Sequence, residues 1–357
     1  MRTETLTALL DCIADGCATK RRIQAKTGFS WGSVSSYIAL LEESGAIVPA
    51  PREERDAGDS RSARYRIAPG RRLCLGMEFR KHSIETALGT ADGRIAASYS
   101  HQAAGELTNA TLAEETGNAI RAALDRAEVG PDAVAGAVFA LTGAVDVQRK
   151  IWLRSPHNPG ISGFDFSTPR TLWPESWEVV LEHDILSKAR SVIQSRGLSG
   201  DDSVFLHIGD GIGMAVRRGG EFQTGSRGFA GEIGHIPCRS LAEEKPRRCS
   251  CGKSDCMETR LSTRVSADPR TLERHLLDLC VTAVNLCDPA TLIVGGEAVE
   301  AYLAQHEAEF LRKLRKASWM EAPANFSFYR MSECLPAQGA VLGRKEFLIR
   351  TIAAAID

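Results

Sequence analysis

The chain has 357 residues, 43% hydrophobic and 25% charged, with a formal net charge of -1, and that length points to two or three domains. A near-neutral balance gives no overall field of the sort that marks a nucleic-acid binder along its whole length, and no run approaches the ~18–20 apolar residues of a membrane-spanning helix. The opening residues are broken by Asp11 and Asp15 and lack the apolar stretch of a secretory signal. Cytoplasm is therefore the expected compartment, with no membrane partner. Charge is unevenly spread: residues 1–72 carry 12 Lys and Arg against 9 Asp and Glu, the remainder 32 against 36.

In the head, ETLTALLDCIA (4–14) sets Leu6, Leu9, Leu10 and Ile13 at helical spacing until Gly16 breaks it. A second short helix fits Thr19–Lys26, with Ile23 and Ala25 inward, and stops at Thr27-Gly28. Ser30 can cap a third helix, whose apolar stripe is Val34, Ile38 and Leu41, with Tyr37 and Leu40 beside it and Gly45 at its end. Three short helices so spaced have the dimensions of a helix-turn-helix. Trp31, Ser33, Ser35 and Ser36 form a compact surface at the start of the third helix, small enough to enter a major groove, and Lys20, Arg21 and Arg22 can hold phosphate. Ile47-Val48 and ARYRI (63–67) read as a two-stranded wing with phosphate-contacting Arg61, Arg64 and Arg66. The competing reading of the head is a helical packing or dimerisation module without DNA contact.

The body begins with strand-like stretches at 73–79, 82–89 and 93–100, then a helix over 105–127 and a strand at 133–139. The unit repeats: strand 203–207, the turn Gly209-Asp210-Gly211-Ile212-Gly213, a returning strand 214–217, a helix over 270–287, strand 291–294, and another helix from about 298. Two α/β lobes with a cleft suit a small-molecule site.

Seven of the ten cysteines are scattered singly, and a body of this size buries a core without disulfide staples. The other three, Cys249, Cys251 and Cys256, crowd into CSCGKSDC, with His235 upstream. Three thiolates and an imidazole complete a tetrahedral zinc shell, and a hydrophilic loop is a poor home for free thiols. One structural Zn²⁺ per chain is expected, with Cys238 as the rival ligand. Glu232 and Glu258 flank the cluster, and Asp184 follows a strand-like EVVLE (178–182), the strand-end position where α/β proteins place reactive groups.

GFAGEIGHIP (228–237), CSCGKSDCMET (249–259), ALTGAVD (140–146) and NLCDPATLIVGGE (285–297) resemble the ROK proteins (repressors, open reading frames and kinases). The stretch 19–48 resembles the winged helix of the family's repressor branch. The resemblance implies an α/β, actin-like and ribonuclease H-like two-lobed sugar-kinase fold preceded by a winged helix-turn-helix domain. The boundaries it suggests are 1–72 for the head and wing, 73–184 for a small lobe completed by a C-terminal helix (337–357), and 185–336 for a large lobe with the zinc loop. It implies sugar contacts from Asn158, Asp184, Glu232, His235 and Glu258, with Asp184 as the proton acceptor in kinase members. His183 stands where the family has Asn. His235 would bind metal through one nitrogen and face sugar with the other.

The phosphate words depart from the kinases. Where these have D-x-G-G-T, this chain has Glu78-Phe79-Arg80-Lys81-His82, and Asp210 replaces Thr in the second, G-T-G-I-G, word. Phosphoryl transfer rests on positioning and electrostatics, so no bound ATP and no useful kinase activity are expected. A neutral sugar or amino sugar is the favoured effector; a sugar phosphate is the alternative, since Arg80 and Lys81 could receive its anionic group, and Asp210 is read as lacking compensation. Only 26 residues (259–284) separate Glu258 from Asn285, shorter than the family's large lobe. The implied function is a sugar-responsive transcriptional repressor acting as a homodimer or tetramer on operator DNA. Its effector is a sugar, amino sugar or sugar phosphate, and the short connector Pro69–Arg72 couples body to head. The alternatives are a bifunctional DNA-binding sugar kinase using Asp184 and a ROK-like protein with a non-DNA-binding head.

Overall fold

The computed structural model describes residues 2–16, 19–51, 63–68, 72–167, 172–198, 202–238, 246–265 and 268–356. It divides into two compact units, one of residues 1–182 with 336–357 and one of 183–335.

The first unit opens with α1 (Arg2–Ala14), α2 (Lys20–Thr27) and α3 (Trp31–Glu43). Thr19 caps α2 through its hydroxyl, and Gly28 ends it at φ 72°, the left-handed conformation that glycine adopts without penalty. Ser30 caps α3 by accepting from the Ser33 amide at 3.1 Å. Leu6, Leu9, Leu10, Ile13, Ile23, Val34, Ile38 and Leu41 are all buried, so the helical periodicity of the sequence marks the core-facing stripe. Ala25 is exposed instead of inward, because the short α2 turns only Ile23 into the core. The wing forms as β1 (Ile47–Pro49) antiparallel to β2 (Tyr65–Ile67), with Val48 opposite Arg66. Its tip, including Arg61, lies outside the described residues.

The rest of this unit is built on β3 (Leu73–Phe79), β4 (Ser83–Gly89), β5 (Ile95–Gln102), β6 (Val134–Leu141) and β10 (Glu178–His183) in the order β10-β6-β3-β4-β5. Beside it are α4 (Leu112–Arg126) and a small sheet of β7 (Ala144–Asp146), β8 (Ile151–Arg154) and β9 (Ser162–Asp165). The helix expected over 105–127 begins only at Leu112, since a stretch of loop and turn hydrogen bonds through Thr108 and Thr111 precedes it. The chain's end forms two helices, α8 (Pro336–Leu342) and α9 (Lys345–Ala354). α8 packs on β3, β4 and β6 so closely that a Cβ at Gly76 would fall on the Ala337 carbonyl.

The head is not a tethered module. α1 packs on α9, and Leu6, Leu9, Leu10 and Ile13 share one buried cluster with Leu348, Ile349, Ile352, Val341 and the sheet residues Cys74, Ala87 and Val138. Lys345, at the start of α9, ion-pairs with Asp11 at 3.2 Å and with Asp15, which Lys26 also reaches at 2.8 Å. The connector assigned the coupling role, Pro69–Arg72, is described only at Arg72; among the described residues, α1 against α9 is a direct contact between head and body.

The second unit starts with α5 (Asp184–Ser195), followed by β11 (Ser203–Ile208), β12 (Ile212–Arg218), β13 (Glu221–Phe222), α6 (Pro269–Cys287), β14 (Thr291–Gly295), α7 (Glu300–Ala317) and β15 (Asn325–Tyr329). Its sheet runs β13-β12-β11-β14-β15, with β11–β12–β13 antiparallel and β11–β14–β15 parallel. Numbered from its own first strand, each five-stranded sheet has the order 3-2-1-4-5. The repeat in the sequence is thus a repeat in topology.

Candidate functional site

Two strands run directly into candidate site residues at their carboxyl ends, where open α/β folds place ligands. β10 hands the chain to α5 at His183-Asp184, and β11 runs into the turn Gly209–Gly213. Asp184 is buried and pairs with Lys188, one helical turn on, at 2.6 Å. The i, i+4 spacing of that pair is a signal in DILSK that the sequence reading left unused. His183 packs edge-on to Phe229, ring centroids 5.8 Å apart, and its buried Nε2 has no hydrogen-bond partner.

The cysteine loop folds back so that His235, Cys249, Cys251 and Cys256 bring their ligand atoms within 4.8 Å of one another. Cys249 Sγ lies 3.5 Å from His235 Nδ1 and Cys251 Sγ 3.7 Å from Cys256 Sγ. A tetrahedron with metal–sulfur bonds of about 2.3 Å has edges of roughly 3.7 Å, so the donor set fits a single tetrahedral ion. Burial, together with its neighbouring thiols, pushes the Cys256 thiol up to about 12, and a metal taking these ligands must displace protons. Cys238 is not in the cluster; its Sγ stands 3.7 Å from Nδ1 of the buried His275.

With Nδ1 turned to the thiols, His235 points Nε2 at Glu232, 3.7 Å away. This is the carboxylate–histidine arrangement that orients a metal-binding imidazole. Burial raises the Glu232 carboxyl above its ordinary value; His183 and His235 partly oppose that, and Glu258 and Asp184 add to it. Glu258 accepts from the Ile212 amide at 3.3 Å and from the Ser250 hydroxyl at 3.3 Å. Asp184, Glu232, His235 and Glu258 therefore all belong to the second unit. Asn158 belongs to the first, where it is buried, donates to the Arg80 carbonyl at 3.4 Å and keeps a buried Oδ1 without partner.

Two expectations about charge are corrected. Arg80 is held by Glu78 through both Nε and Nη2, at 3.0 and 2.9 Å, and lies 4.0 Å from Glu85; Lys81 pairs with Glu106 at 3.4 Å. Both cations thus have carboxylate partners on their own sheet and its flanking loop, which a phosphate would have to compete with. Asp210, conversely, is compensated: Thr263 donates to it and Arg264 lies 3.9 Å from it. Behind the same turn, the buried His207 lies between the buried Tyr329 hydroxyl at 2.7 Å and the exposed Glu297 at 3.4 Å, an arrangement that sequence inspection missed.

In the head, Trp31 is 53% exposed, Ser33 and Ser36 are exposed and Ser35 is half-buried, while Arg21 and Arg22 are exposed and Lys20 is half-buried. Arg64 and Arg66 line a small cavity with Asp92 and Arg94. Among the described residues no helix is long and apolar enough to cross a membrane.

Two five-stranded lobes of one topology, the second carrying a cluster of one histidine and three cysteines, and an N-terminal three-helix head with a wing define a sugar-kinase-like α/β protein with an added module. The ROK family pattern matches residues 74–268, and the chain belongs to the ROK family. Its fold is similar, over 99% of this chain and 98% of the other, to a ROK family transcriptional regulator described as a homologue of the E. coli MLC protein, with a TM-score of 0.75 at 15% identity. A ROK hexokinase from Thermus thermophilus matches with a TM-score of 0.58 at 20% identity, covering 76% of this chain and 97% of that one. Without the head the fold is thus that of the kinases; with it, that of the regulator. In sequence, the chain is 28% identical over 167 residues to an N-acetylmannosamine kinase of Escherichia coli O1:K1, covering 35% of this chain and 55% of the kinase. The chain spans about half the length of the curated relatives it matches.

Proposed function

We propose that the protein is a DNA-binding transcriptional repressor whose kinase-like body senses a sugar-derived effector and does not phosphorylate it. The observation that carries this reading is the face of α3. Ser30 caps the helix, Val34, Ile38 and Leu41 take the core side, and Trp31, Ser33 and Ser36 are left to solvent on its first two turns. That is the part of a recognition helix that meets base edges, with helix N-terminal amides available to phosphate. Lys20, Arg21 and Arg22 at the start of α2 would hold the backbone. A homodimer on a palindromic operator follows from the usual geometry of such heads.

The body supports sensing over catalysis. Zn²⁺ held by His235, Cys249, Cys251 and Cys256 would be structural, since four protein ligands leave it no open position. It would fix Glu232 and Glu258 as acceptors for sugar hydroxyls. Asn158 Oδ1 and His183 Nε2, buried and unpartnered, have the chemistry to meet further ligand groups, each in its own unit. Asp184 is engaged by Lys188, and the Gly209–Gly213 turn carries Asp210 where a kinase would hold phosphate.

The deciding experiment passes fragmented genomic DNA over the purified protein and sequences what is retained. Fragments sharing a palindrome, lost when Ser33 and Ser36 are replaced by Asp, are expected; no retained fragments would return the head to a packing module. With ATP and a panel of hexoses and N-acetylhexosamines, no sugar phosphate beyond one equivalent per chain is expected. Sustained turnover that disappears in Asp184→Asn would make the protein an enzyme as well.

A further inference from the structure

In the second unit, a cavity of about 370 Å³ opens between the cysteine loop and the Gly209–Gly213 turn, lined by Asp210, Arg247, Arg248, Ser250, Glu258 and Arg264. Its size falls within the range of small-ligand sites. Three arginines converge there although the chain as a whole is slightly acidic. Arg247 donates to the Thr259 carbonyl at 3.1 Å. Arg264 is only loosely opposed by Asp210 at 3.9 Å, with its side chain 45% exposed. The Arg248 guanidinium has no hydrogen bond or ion pair among the described residues. Arg80 and Lys81 are each closed by carboxylates, whereas these guanidiniums face a cavity. The cavity also presents the opposite chemistry: Glu258 and Ser250, 3.3 Å apart, offer an acceptor and a hydroxyl.

A guanidinium fork recognises phosphate or carboxylate oxygens, and a carboxylate recognises hydroxyls. An inorganic anion would leave the Glu258 acceptor and the Ser250 hydroxyl without hydroxyl partners; a neutral sugar would leave the arginines unused. We infer that this cavity is the effector site and takes a hydroxylated anion, a sugar phosphate or a sugar acid. Arg248 and Arg264 hold the anionic group, and Glu258 with Ser250 hold hydroxyls. Arg248, Cys249 and Ser250 are consecutive, so an ion bound at Cys249 fixes both kinds of contact at once. The inference rests on the reading of the body as a sensor, not on the head.

The test is calorimetric titration of the full-length, zinc-loaded protein with glucose, N-acetylglucosamine and N-acetylmannosamine, their 6-phosphates, gluconate, glucuronate and inorganic phosphate. At least one phosphorylated sugar or sugar acid is expected to bind ten times or more tightly than its neutral parent and than phosphate alone; which arm responds separates the two sources of anion. Arg264→Ala and Arg248→Ala should each weaken that binding at least tenfold while leaving zinc at one per chain, which excludes loss of the loop as the cause. Neutral parents binding as well as their anions, phosphate alone binding as well as its sugar ester, no binding by any anionic member, or unchanged affinity in both variants would each overturn it. Because the readout contains no DNA, a failure of the head to bind DNA leaves this result standing, and the reverse.

Discussion

Cys256→Ser is expected to take bound zinc from one per chain to near zero and to lower the melting temperature of the second unit by roughly 6–12 °C, the shift that about 3 kcal/mol produces in a unit of this size. Cys256 is 2% exposed and sits between Pro237, with which it forms a bridge, and Met257, a member of the second unit's buried core. Three remaining donors cannot close a structural site. Left without metal, the loop from Arg247 to Glu258 has only a few backbone bonds to hold it, among them Cys249 to Lys253 and Asp255 to Arg247. The damage should be greatest in the loop itself, because of its residues only Met257 enters the buried cluster that Leu276, Leu279, Leu292 and Val294 fill from α6 and β14. Elemental analysis, with hydrogen exchange across 246–259, checks the claim; undiminished zinc would place the ion elsewhere. Effector affinity should fall with the metal, since Glu232 is oriented through His235 and Glu258 through the loop itself.

Much of this was legible in the chain. C-x-C-G-x-x-x-C names its own chemistry, because spacing alone brings the thiolates together, and the helical stripes of α1 and α3 follow from an apolar residue every three or four positions. What the sequence concealed were partners distant along it. His275 lies 37 residues from Cys238 and removes the rival ligand; Tyr329 lies 122 residues from His207. Glu106 pairs with Lys81 from a separate loop, and Thr263 reaches Asp210 across 53 residues; Glu78, by contrast, holds Arg80 from only two positions away. Charge read along a sequence counts groups but not their counter-ions. The start of α4 was misplaced for a related reason: Thr108 and Thr111 exchange hydroxyl and amide bonds in the preceding turn, a local alternative to helix that composition does not show.

Ile349→Ala is expected to loosen the head as a whole and not merely the end of the chain. Ile349 is 1% exposed in the buried cluster that unites α9 with Leu6, Leu9, Leu10 and Ile13. Removing a buried isoleucine to alanine costs about 2–5 kcal/mol, a large share of what a three-helix head can hold by itself. Amides in α1 to α3 should then exchange faster than those of β3 and β6, and under the proposed function operator affinity should drop although none of the candidate DNA contacts has changed. Protection in the head equal to that of the parent protein would show that α9 does not carry the joint. Lys345→Ala is the milder probe, because its partners Asp11 and Asp15 are half-exposed to water and salt. Burial alone would raise the Asp15 carboxyl, but hydrogen bonds from Lys26 and Lys345 outweigh it and hold it below its ordinary 3.8. Burial would likewise lower the Lys345 ammonium, but Asp15 and Asp11 carry it above 10.5. The depressed carboxyl adds stability above its ordinary 3.8 that is lost as pH falls through its value in the fold; the raised ammonium adds stability below 10.5 that is lost as pH rises through its own. The clasp should therefore be indifferent to pH across the neutral range, weaken in salt, and release the head only in strong acid or strong alkali. Head-specific proteolysis followed across that range, in parent and Lys345→Ala, would show the two curves meeting at the acidic end if Asp15 and Lys345 act as one joint.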